Sequence, residues 1–140
     1  MTPLFWAKSA AVLSVIYGGA NAHQFLSCYA DVRAKSRVFA EMVAEAGGSV
    51  ARLRAVRAVL YLVAPLCYLW ALRGAGIPGA FLAVTGAKFG VSSLLGIGTE
   101  KRILRGGDYR LLDHRLARID AVLNLTLAAL AVWLILKAWT

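Results

Sequence analysis

Acidic residues are scarce in this chain: 7 Asp and Glu stand against 16 Lys and Arg, a formal net charge of +9. In a soluble protein that imbalance would suggest nucleic acid, but no basic stripe runs outside two short segments, so a nucleic-acid partner is not expected. Cysteine is rarer still. Cys28 and Cys67 belong to no CxxC or zinc pattern. In the topology derived below they differ in depth by roughly 15 Å, at about 1.5 Å per helical residue. A disulfide needs Cα atoms within about 7 Å, so both are expected as free thiols. The histidines, His23 and His114, sit about two helical turns apart in depth, which argues against a haem held by facing histidines. His23 remains a weak metal candidate and reads more simply as an interfacial hydrogen-bonding side chain. No nucleophile–base pair and no metal-ligand cluster is legible, and the sequence does not say whether a cofactor is bound.

Hydrophobicity is what the chain has in excess. Sixty per cent of its 140 residues are hydrophobic, and the mean hydropathy is +0.67. Soluble domains lie nearer 45–50% apolar, as a rough average. The apolar residues form long blocks, and about 20 such residues span the hydrocarbon core of a bilayer. The sequence therefore predicts an all-α integral membrane protein: one domain of four transmembrane helices, at about 3–27, 57–73, 77–99 and 118–139. The second block is flanked by Arg57 and Arg73, which can snorkel to the interfaces, and contains Pro65, which should kink it.

The loops set the orientation. Loop 28–56 carries Arg33, Lys35, Arg37, Arg52 and Arg54, with Arg57 at its edge; loop 100–117 carries Lys101, Arg102, Arg105, Arg110 and Arg115, with Arg118 beyond. The link between the second and third spans has only Arg73. The positive-inside rule makes the two basic loops cytoplasmic and both termini external. Trp6, Trp70, Trp133 and Trp139 then fall at or toward the outer interface, as indole rings prefer. The expected location is a bacterial inner membrane. Ala20-Asn21-Ala22 is similar to a signal-peptidase site. Against cleavage, Lys8 follows an aromatic pair instead of opening the chain, and processing would leave the basic first loop outside. The segment is expected to stay as the first span.

Gly47-Gly48 and Gly106-Gly107 each mark a turn, and Gly74-Ala75-Gly76-Ile77-Pro78 is a third breaker cluster. The reading is two helical hairpins. Residues 32–46 form an amphipathic segment, with Val38, Phe39, Met42, Val43 and Ala46 on one face and Arg37, Glu41 and Glu45 on another. Such a helix is expected to lie on the cytoplasmic leaflet, with a docking face for a soluble partner as the alternative.

Polar residues recur inside the spans at steps of three and four, which places them on single helical faces. These are Ser14, Tyr17, Asn21, Gln24 and Cys28 on the first span, Tyr61 and Tyr68 on the second, Thr85, Lys88, Ser92 and Thr99 on the third, and Asp113, Asp120 and Asn124 on the fourth. Polar atoms facing lipid are costly, so the faces should converge on an interior seam. Lys88, near mid-span, is the sharpest signal: a lysine there costs about 2.5–3.5 kcal/mol on insertion scales. Asn124 and Thr126 should share its depth, with Asp120 a turn deeper, close enough for a stretched or water-bridged contact. The candidate ligand or ion path is Lys88, Asn124, Asp120, Asn21, Gln24, Tyr17, Ser92, Thr85 and Tyr61. Gly86 and Gly90 add a GxxxG step for close helix packing.

The topology resembles that of the glutathione-using membrane eicosanoid enzymes, whose second span opens Arg-Ala-x-x-Asn-x-x-Glu. Here Arg54-Ala55 is followed by Ala58 and Tyr61 in place of Asn and Glu. Trp6-Ala7-Lys8 resembles the opening of haem-binding four-span proteins related to copper-resistance membrane proteins, but the next histidine is His23. Neither family's site residues carry over. The leading expectation is a transporter or channel-like protein working as a homo-oligomer, with the seam lining its path. The alternatives are an accessory subunit among other membrane subunits, and a membrane enzyme acting on a lipid, quinone or thiol near the cytoplasmic face.

Overall fold

In the computed structural model the described residues are 2–45 and 50–139, and they form five helices and no strand. They are α1 (Pro3–Leu26), α2 (Tyr29–Glu45), α3 (Val50–Gly74), α4 (Gly79–Ile103) and α5 (Leu111–Trp139). α4 and α5 are each long and apolar enough to cross a membrane. The Gly47-Gly48 turn, and Ala46 at the end of the amphipathic segment, lie outside the described residues.

Two turns follow from glycine. At the end of α3, Gly76 takes φ +78, its N–H donates to Arg73 O (3.0 Å), and Ile77 N–H donates to Leu72 O (3.1 Å). After α4, Gly106 takes φ +83, and the same pattern recurs: Gly106 N–H to Ile103 O and Gly107 N–H to Arg102 O, both 3.0 Å. The left-handed residue satisfies the last helical carbonyls, which is why glycine stands there. α5 begins at Leu111, so the connection from α4 is shorter than the loop 100–117 expected from hydropathy. Charged Arg115 and Arg118 interrupt the apolar run without interrupting the helix.

Pro65 lies within α3. It has no N–H, so the carbonyl of Tyr61 loses its usual partner. Ser93 Oγ of α4 donates to that carbonyl at 3.3 Å and ties the two helices at the proline.

The bundle is antiparallel. Trp6 meets Gly74, Ser14 meets Tyr68, Gly18 approaches Ala128, and Arg57 pairs with Glu100. The basic segments thus gather at one end. The most extensive packing joins α1 to α5, followed by α1–α3 and α3–α4. Small residues make the first contact close: Ala7, Ala10 and Ser14 on α1 lie buried, as do Ala121, Ala128 and Ala131 on α5. The glycine step of α4 is not the tight contact, since Gly86 faces Leu69 and Gly90 faces open space.

The hairpin reading needs correction. α4 and α5 are consecutive, yet they touch at few points. α5 packs on α1 instead, and the two helices of the second hairpin stand apart. The apolar core occupies the end away from the basic loops, around Ala10, Ala71, Leu72, Ile77, Ala131 and Ile135. The long helices point large apolar side chains outward, including Val15 and Ile16, Leu62 and Leu66, Val84 and Leu94, and Leu123 and Leu136.

Gly74 abuts Trp6 so closely that an added Cβ would lie 2.5 Å from the ring. Gly74→Ala is expected to cost about 1–3 kcal/mol by overpacking, read as a lower unfolding midpoint in detergent, whereas Gly79→Ala, with nothing within 4 Å, should leave it unchanged.

Candidate functional site

The polar faces of α1, α4 and α5 meet. Lys88 Nζ lies 3.0 Å from Asp120 Oδ1, a direct contact where the sequence suggested a stretched one. Ser92 sits one turn beyond Lys88 on the same face of α4. Its hydroxyl lies 2.6 Å from Asp120 Oδ1 and 2.9 Å from the Lys88 carbonyl, both of which accept from it. Asn124, one turn from Asp120 on α5, donates from Nδ2 to Asp120 Oδ2 (3.1 Å) and to Asn21 Oδ1 on α1 (2.7 Å). Asn21 in turn donates to the Tyr17 carbonyl (2.7 Å). The Asp120 carboxylate therefore faces three donor side chains from two helices, the compensation a charge needs away from water.

Further along, Tyr17 packs tilted on Tyr68 and edge-on to Phe89, at centroid distances of 5.7 and 5.3 Å. The Tyr68 hydroxyl is 2.8 Å from Ser14 Oγ, and the Ser14 hydroxyl also reaches the Ala10 carbonyl at 2.8 Å. Beyond this point the core is apolar. The seam thus ends blindly inside the molecule. Thr85 Oγ1 and Asn124 Oδ1 are buried and meet no hydrogen-bond partner among the described residues, and the Lys88 ammonium has no aligned acceptor beside its ion-pair contact.

Toward the basic end the separation of α4 from α5 leaves a cleft of about 550 Å³. Gln24, Ser92, Thr99, Arg102, Asp113 and Asp120 supply its polar lining; Leu94, Leu95, Leu112 and Leu116 supply its apolar walls. Arg102 is salt-bridged to Asp113 across the cleft, and Asp113 also accepts from Arg110 N–H at 2.8 Å. Tyr109 lines the mouth. Burial first, and the Asp113 charge second, raise its hydroxyl pKa above the ordinary tyrosine value.

α2 is held to this mouth. Arg33 and Arg37 both pair with Asp108, the second at 3.2 Å. Tyr29 O–H donates to the Tyr109 carbonyl at 3.0 Å. His114 is buried within α5, at 5.6 Å from the Tyr29 ring and 6.4 Å from the Tyr109 ring, rather than exposed in a loop.

Most of the expected path is thus brought together: Lys88, Asp120, Asn124, Asn21 and Ser92 in one network, Tyr17 and buried Thr85 beside it, and Gln24 in the cleft. Tyr61 is not with them. It packs against Gly96 on the α3 side of α4 and lines a separate cavity. Thr126 is exposed and bonded to its own helix. His23 is exposed, its carbonyl accepting from Ser27, and no group of three metal-ligating side chains forms among the described residues. Cys28 and Cys67 are free and exposed. The Arg102–Asp113 bridge and the Asp108 clamp are not legible in the sequence, because neither the loop arginines nor the acidic residues carry any local sign of their partners.

Removing one member of the Lys88–Asp120 pair strands the other, whereas removing both does not. Lys88→Met and Asp120→Asn should each cost up to about 3 kcal/mol, the low end for a buried pair, since Asp120 is 24% exposed. The double variant should recover most of the loss in a denaturation cycle; a double worse than the sum of the singles would sink this account. At the mouth, the arginine hydrogen bonds hold the Asp108 carboxyl below its ordinary value of 3.8. A depressed carboxylate contributes stability in full above its unfolded pKa and loses it as pH falls through the folded one. Hydrogen exchange of α2 amides should therefore be several-fold faster in Asp108→Asn than in the parent at neutral pH, and the difference should shrink in acid.

No family model matches the chain, and neither a curated protein nor a solved structure does.

Proposed function

We propose that the chain is a four-span membrane protein of the transporter type, working as an oligomer, whose substrate enters the α4–α5 cleft from the basic, cytoplasmic end. The observation that carries this reading is the Lys88–Asp120 pair, whose Asp120 lines the cleft on the side of the basic segments, with an apolar core toward the other end of the bundle. A carrier exposes its site to one side at a time, and a one-sided cleft is the form such a protein takes when open inward. An open channel would need polar lining through both halves.

α1 and α3 join α4 and α5 as proposed spans because their outward faces are apolar, with Val12, Val15, Ile16, Leu62, Val63 and Leu66 all exposed. Their inward polar residues and flanking arginines lower their average hydropathy. Val38 and Met42, exposed on α2, suit contact with the leaflet. The unmet hydrogen-bonding capacity of Lys88, Thr85 and Asn124 is available to a substrate that reaches the pair. An enzyme acting on a lipid, quinone or thiol would draw on the Ser92 hydroxyl beside Asp120, but that carboxylate is already committed to Lys88 and Asn124.

Thiol accessibility in sealed vesicles tests the proposal. In a Cys28→Ala/Cys67→Ala background, Ser92→Cys and Thr99→Cys should react with a membrane-impermeant maleimide from the basic-loop side and at least tenfold more slowly from the other. Adding Lys88→Met should raise opposite-side labelling of Ser92→Cys, as the pair no longer holds one state. Equal labelling from both faces would replace the carrier with a channel; no labelling from either would leave the seam a packing feature.

A further inference from the structure

A second cavity, of about 370 Å³, lies on the other side of α4 at the basic end, between α4 and α3. Its lining includes Arg57 from α3, Lys101 from α4 and Arg105 from the turn after α4, with Ile97, Leu104 and Tyr61 as its apolar part. The cations are not equivalent. Arg57 is engaged twice, by Glu100 at 2.8 Å and by the Phe39 ring of α2 at 4.4 Å. Lys101 lies in the last turn of α4 and Arg105 in the turn that follows, and both side chains line the cavity. Among the described residues neither has an ion-pair partner. The cavity therefore presents two cations that have no ion-pair partner among the described residues, beside apolar side chains, and Glu100, the carboxylate in its lining, is paired with Arg57.

We infer that this cavity binds the headgroup of an anionic phospholipid from the leaflet that meets the basic end, with Lys101 and Arg105 on the phosphate and the first part of an acyl chain on Ile97 and Leu104. Charge complementarity selects the occupant. Two free cations suit a phosphodiester of net negative charge, and a zwitterionic head would bring a cation that they repel. The apolar lining requires a tail, which separates a lipid from free phosphate. The level of the site agrees, because it lies at the end of the proposed spans, where basic side chains meet an anionic surface. Arg57 on Phe39 continues the site into α2, so a bound lipid would bridge α2, α3 and α4. This inference stands apart from the transport reading; either can fail without the other.

The test is native mass spectrometry of the full chain in mild detergent with added phosphatidylglycerol or phosphatidylcholine. Phosphatidylglycerol should be retained preferentially. Lys101→Gln/Arg105→Gln should reduce its retention roughly tenfold, given what each basic residue contributes at an anionic surface. Arg110→Gln/Arg115→Gln removes the same charge from outside the cavity and should change retention less than twofold. Leu104→Trp keeps every cation and fills the apolar part, so it should also reduce retention even if the double variant does not fold. Inorganic phosphate should not displace the lipid. Equal losses in the two charge doubles, equal retention of the two lipids, full retention in Leu104→Trp, or displacement by phosphate would each overturn the site.

Discussion

The contact between Lys88 and Asp120 is the constraint on which the rest of the arrangement depends. Two charges sit far along helices whose outward surfaces are apolar, and each is tolerable only because the other is 3.0 Å away. The carboxylate is further shared with Ser92 and Asn124. Through Asn124 and Asn21 the network reaches α1, so the pair fixes three helices rather than two. Any sliding of α4 past α5 by a turn would separate the charges.

That brace matters because α4 and α5 have little else between them. Small residues let α5 close on α1, with Ala10, Ala121 and Ala131 fully buried, and that closeness draws α5 away from its sequence neighbour. The gap becomes the cleft, bridged by the Lys88–Asp120 and Arg102–Asp113 pairs. Position along the bundle then divides its interior. Alanine, leucine and isoleucine fill the end near Trp6 and Gly74, and polar side chains line the end near the basic segments.

The mouth of the cleft shows how surface charges acquire structure. Asp108 gathers Arg33 and Arg37, Tyr29 reaches Tyr109, and His114 is buried against both rings. Individually, exposed pairs of this kind contribute little. Together they set where α2 leaves the bundle, and Phe39 under Arg57 adds an attachment on the opposite side of α4.

What the sequence determined by itself was the helices and the faces they bury. Periodicity is a local property, so Ser14, Tyr17 and Asn21, or Thr85, Lys88 and Ser92, declare a common face without knowledge of their neighbours. Glycines at 76 and 106 declare turns for the same reason, since a left-handed residue is a local requirement. Only the tertiary structure decided which faces meet. Nothing in hydropathy indicates that α5 prefers α1 to α4, because that preference lies in the fit of alanines across two helices far apart in sequence. The same holds for Tyr61, which shares a helical period with Tyr68 but stands on the far side of α4. Seven residues also set the two rings about 10 Å apart along the helix axis, at about 1.5 Å per residue, so they meet different neighbours. Loop charges were legible as charges, while their partners depended on chain segments that only the folded bundle brings together.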